Sequence, residues 1–106
     1  MTTYMRDEDN RLVVPLEYSP SLPEVRLNEP LGRHLKLIQR SLRQHKAKHG
    51  EVDEIVIVQV AVAALAEPKV TIQQLDEIDA MDVYTLGEAL SSFRLFRKMQ
   101  ELAKQP

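Results

Sequence analysis

The spacing of apolar residues along the chain changes period from segment to segment, and each change marks an element. Leu12, Val14, Leu16 and Tyr18 recur at every second position, as do Val25 and Leu27. A period of two puts side chains on alternate faces of a strand, and the intervening Ser19-Pro20-Ser21-Leu22-Pro23 is turn chemistry. The spacing predicts a β-hairpin over 11–28. Pro15 has no N–H for a ladder, so its strand is expected to be an edge or to be interrupted. The polar stretch 1–10 reads as a disordered tail.

After Pro30 the period lengthens. Leu31, Leu35, Ile38 and Leu42 recur at i, i+4, i+7 and i+11, one stripe of a helix predicted over 30–49. Asn28 suits its N-cap, Pro30 its first turn and Gly50 its close. Arg33, Lys36, Arg40 and Arg43 form a second, basic stripe roughly opposite. The segment EIVIVQVAVAALA follows. Its six β-branched residues argue for a strand, whereas its length, its alanines and Pro68 argue for a helix. The reading is a buried central helix over 53–67 capped by Asp53, with a strand as the alternative.

Thr71 and Gln74 have capping-box spacing and open a short helix over 71–79, with Ile72, Leu75 and Ile78 inward. Asp79 and Asp82 both suit the cap of the last helix. That helix is expected over 82–103 with Asp82 as its cap and Val83, Leu86, Leu90 and Phe93 inward. Beyond Phe93, the residues Leu95, Phe96, Met99 and Leu102 fall near the side opposite Leu86. One helix cannot bury both faces in a small core, so these four form the expected partner-binding face. The fold class is mostly α, with about four helices and an N-terminal β-hairpin in one domain over 11–106.

Composition narrows the function classes. The 106 residues include no cysteine, which excludes disulfide scaffolds, Cys-based zinc sites and thiol nucleophiles. The longest apolar stretch, Ile55–Ala66, has twelve residues including Gln59, short of the roughly twenty that span a bilayer. No membrane association is expected. MTTYMRDEDNR lacks an apolar signal region, so a cytoplasmic protein is expected. The net charge of −2 is unevenly spread. Residues 33–49 hold six Lys/Arg and no acid, and residues 51–93 hold nine acids and one Lys. Such blocks face each other, a partner or only solvent.

No constellation of catalytic residues emerges, and no enzyme, cofactor or metal is expected. His45 and His49 share a helix face, but no acid lies between Arg33 and Gly50; with His34 they read as surface histidines. Asp76, Glu77, Asp79 and Asp82 gather at a helix junction, where acids serve as caps and dipole partners. Ser91-Ser92 has no histidine at a recognisable spacing. The three glycines form no phosphate loop. The basic helix 33–49 leaves a small nucleic-acid-binding regulator as an alternative. An acidic remainder and few aromatics weigh against it.

The chain resembles the tail assembly chaperone family of contractile-tailed phages and prophages, the Mu-like and P2-like group. The resemblance rests on Leu27–Pro30 ahead of the first helix and on Ile72, Leu75, Ile78, Asp82, Val83, Leu86 and Phe93, and covers roughly residues 12–96. The extension after Phe96 and the basic first helix have no counterpart in it. The resemblance implies a protein that binds the long helical tape-measure protein and keeps it soluble until tail-tube subunits displace it. Tail-tube assembly factors and a second copy of the chain are the further partners to expect. The other alternative is a structural phage component.

Overall fold

A computed structural model describes the backbone of residues 4–104 and the side chains of residues 4–101. Within these residues the chain forms a three-stranded antiparallel sheet and five helices. The strands are β1 (Met5–Arg6), β2 (Leu12–Pro15) and β3 (Glu24–Leu27). The expected hairpin is there, with Leu12 opposite Leu27 and Val14 opposite Val25. All four side chains are buried on one face, as a period of two requires.

The expected disordered tail supplies a third strand, with Met5 paired to Val13 and Arg6 to Leu12. The turn between them places Asn10 at φ 63, and its N–H donates to the Asp7 carbonyl at 2.9 Å. Charge density hid this strand, since β1 buries neither residue and leaves no apolar rhythm. Residues 1–3 lie outside the described residues. β2 is the central strand of the sheet and not the expected edge; Pro15 is its last residue and pairs with Glu24 of β3.

Helix α1 (Gly32–His49) starts later than expected. Asn28 does not cap it. The Asn28 N–H donates to the Leu65 carbonyl at 2.9 Å and its side-chain amide donates to the Glu67 carboxylate at 3.0 Å, which ties the end of β3 to the end of the central helix. Leu31 holds the N-cap position, exposed, and its N–H donates to Nδ1 of His34 at 2.9 Å. The inward face is therefore rotated from the expected stripe. His34 and Ile38 are buried, while Leu35 and Leu42 are only half-buried. Gly50 closes the helix at φ 84, a left-handed conformation in which a side chain is strained.

The strand alternative for the central segment is set aside. It is helix α2 (Glu54–Leu65), and the Asp53 carboxylate accepts from the Val56 N–H at 2.9 Å. It touches α1, β3 and the two helices that follow. Its C-terminal half is the buried part, whereas Ile55 is exposed. Helix α3 (Ile72–Glu77) has the expected reciprocal cap. The Gln74 N–H donates to Thr71 Oγ1 at 3.1 Å, and the Thr71 N–H donates to Gln74 Oε1 at 2.9 Å.

The expected last helix is two helices, α4 (Ala80–Leu90) and α5 (Arg94–Lys104). The serines at the break bond back to the helix they terminate. The Ser91 hydroxyl donates to the Gly87 carbonyl at 3.2 Å and the Ser92 hydroxyl to the Ala89 carbonyl at 2.6 Å. Such bonds offer the backbone an alternative to the helical ladder. The break resets the helical phase, so Phe93 and Phe96 both enter the core, 6.4 Å apart between ring centroids. One cluster joins the sheet's inner face to Ile38, Leu65, Leu75, Leu86 and these two rings.

Candidate partner-binding surface

The described members of the expected partner-binding face on α5 lie against the core. Phe96 is 5% exposed, and Leu95 and Met99 pack half-buried against the same core. The premise of one continuous helix fails at Ser91–Ser92, and with it the need for a second face. The Leu102 side chain lies outside the described residues.

Asp82 does not cap α4. Asp79 does, its carboxylate accepting from the Met81 N–H at 2.9 Å. Asp82 lies in the first turn at 1% exposure, where its Oδ2 accepts from the Tyr18 N–H at 3.2 Å and the Ser19 hydroxyl at 2.5 Å. Ser19 Oγ in turn accepts from the Asp79 N–H at 3.1 Å. In an ordinary capping box, the acid three residues into the helix bonds the N-cap N–H directly. Here the serine of the β2–β3 turn stands between the two. The cluster is a structural clasp with every visible bond made.

The histidines divide. His34 is not a surface residue: at 6% exposure its ring accepts from the Leu31 N–H. Burial, with the nearby Arg33 charge, holds its pKa below the ordinary histidine value. His45 and His49 approach to 4.5 Å between ring centroids at the end of α1. Among the described residues no group of three or more His, Asp or Glu is placed to hold a metal.

The basic stripe is where the spacing puts it. Arg33, Lys36, Arg40 and Arg43 are all exposed, and among the described residues none makes an ion pair. The sheet's arginines differ. Arg6 meets Glu29 at 3.2 Å, Arg11 meets Asp7 at 3.3 Å, and Arg26 meets Glu24 at 2.7 Å and Asp7 at 3.3 Å. Desolvation raises the Asp7 pKa. The N–H groups of Arg11 and Asp9, with the charges of Arg11 and Arg26, outweigh it and leave the carboxyl below its usual value.

Beside the stripe lies an open apolar groove that the sequence reading missed. Leu37 and Ser41 of α1 form one wall, Val60, Ala63 and Ala64 of α2 the floor, and Ile72 with the 66–69 segment the other wall. Leu37 and Ile72 are 47% and 41% exposed. Ile72 was expected inward, but only Leu75 and Ile78 of that set are buried. The available signal was Leu37, an apolar residue off the Leu31–Leu42 stripe and bracketed by Arg33 and Arg40. No helix among the described residues is long and apolar enough to cross a membrane. No protein-family model, curated protein or solved structure matches the chain.

Proposed function

We propose that this protein is a helix-binding assembly chaperone, with the tape-measure protein of a phage tail as its client, as the resemblance to tail assembly chaperones implies. The carrying observation is the groove between α1 and α3. Its floor is small and apolar, and Leu37 and Ile72 stand exposed at its edges. Small floor residues let a helix approach closely, and an amphipathic helix laid in such a groove buries its stripe there. Exposed apolar edges suit a client that must later be released. The chain would bind in the cytoplasm of the bacterial host and perform no catalysis.

The test is isothermal titration of the full chain with helical segments of a tape-measure protein. Leu37→Ser with Ile72→Ser should weaken binding at least about tenfold, since truncating anchor residues costs more than 1 kcal/mol each. Undiminished binding by a folded double variant would overturn the groove as the site.

A further inference from the structure

We infer that the groove selects its helix by charge, taking one whose apolar stripe is flanked by acidic residues on the side that meets α1. The inference rests on the groove being a helix-binding site and adds which helix it accepts. Leu37 is the groove's α1 wall, and Arg33 and Arg40 lie four residues before it and three after, the neighbours of a helical position. Lys36 and Arg43 continue the same exposed face, about 100–120° round from Leu37. No acid lies on α1, so nothing on its own helix offsets these cations.

The sheet treats its arginines differently. Each sheet arginine has an acid from a neighbouring strand or turn, yet among the described residues α1 has none. The opposite wall carries both signs, with Glu67 and Lys69 lining it. Asp76 follows Ile72 by one turn of α3, and its carboxylate accepts from the Gln59 side chain at 2.7 Å. A helix in the groove thus meets cations alone along the α1 flank and charges of both signs along the other. An acidic flank facing α1 is attracted, and a basic one is repelled. A nucleic-acid strand would satisfy the stripe but leave Leu37 and Ile72 exposed. The adjoining apolar wall therefore favours a protein helix.

The test uses two synthetic amphipathic helices with the same Leu/Ile stripe, one flanked by Glu and one by Lys, titrated by fluorescence anisotropy into the full chain. The Glu peptide is expected to bind at least about tenfold tighter in low salt, with the gap narrowing as salt screens the charges. Arg33→Gln with Arg40→Gln, both exposed, should erase that gap without changing the circular dichroism spectrum. Equal binding of the two peptides would overturn the charge selection and leave the groove standing. Binding of neither would overturn both. A DNA duplex that displaces the Glu peptide at submicromolar concentration, with a log–log salt slope near −3 to −4 for about four phosphates, would reassign the stripe to nucleic acid.

Discussion

The sheet side and the α1 face treat the same side-chain chemistry in opposite ways. On the sheet side, Arg6, Arg11 and Arg26 are each met by carboxylates. The Arg6 guanidinium also lies 5.8 Å from the centroid of the buried Phe93 ring. On α1, the four cations of the stripe face outward, and an apolar groove opens beside them. The exposed pairs Arg6–Glu29 and Arg26–Glu24 contribute roughly 0–1 kcal/mol each, so these two add little to total stability. The difference separates residues that set strand register and turn geometry from residues the fold does not need. Charge and apolar surface that a fold leaves unused are where a partner can act.

That contrast breaks most sharply at Phe96. If it belongs to the closed side, Phe96→Ala should cost about 3–5 kcal/mol in urea denaturation. Loss of partner binding with full stability would instead return it to a docking face. The clasp comes next. Asp82→Ala leaves the Ser19 hydroxyl and the Tyr18 N–H unpaired in a buried place and should cost about 2–4 kcal/mol. Ser19→Ala should cost less. The double variant should cost well under the sum, because both changes remove one network; additive costs would show that the two residues act separately.

His34 gives a smaller, pH-dependent effect. Its folded-state pKa lies below the ordinary value of 6.5, so the unfolded chain binds the proton more tightly. Its contribution is complete above that value and declines as pH falls through it toward the folded pKa. Protonation also turns Nδ1 into a donor that can no longer accept from the Leu31 N–H. Denaturation midpoints between pH 7.5 and 5.5 should therefore fall, and His34→Gln should flatten the slope; an unchanged slope would place the pH sensitivity elsewhere. Smallest of all, Arg40→Gln should change stability by less than about 0.5 kcal/mol, as befits the open side. A larger loss would mean that the stripe supports the fold.

Much of the architecture was legible because local chemistry and burial agree there. The hairpin's period of two, the Asp53 cap, the Thr71–Gln74 box and Gly50 each state their element within a few residues. The misreadings arose where a distant partner decides. Asn28 resembles an N-cap, but the end of α2 claims it. Asp82 occupies the acid's place in a capping box, but a serine sixty-three residues earlier intervenes. Ser91–Ser92 carries a local signal, competing hydroxyls, that uninterrupted helical phasing overrode. For the surface, the basic stripe followed from spacing alone. The groove needed three helices to be set side by side before Leu37, Ala64 and Ile72 could meet.

The serine clasp has a consequence for how the chain is made. Ser19 leaves the ribosome some sixty residues ahead of Asp79 and Asp82. The outer edge of β3 is also closed late, by the Leu27–Ala66 bridge and the bond from the Glu67 N–H to the Arg26 carbonyl. Contacts this remote in sequence form slowly, because a long loop must be closed before they contribute. During synthesis the hairpin therefore waits, with one edge unpaired and its turn untethered, until Ala66 and then Asp82 arrive. A chain halted before Asp82 would keep the hairpin's pattern but not its anchor, and an unpaired strand edge is a site for aggregation.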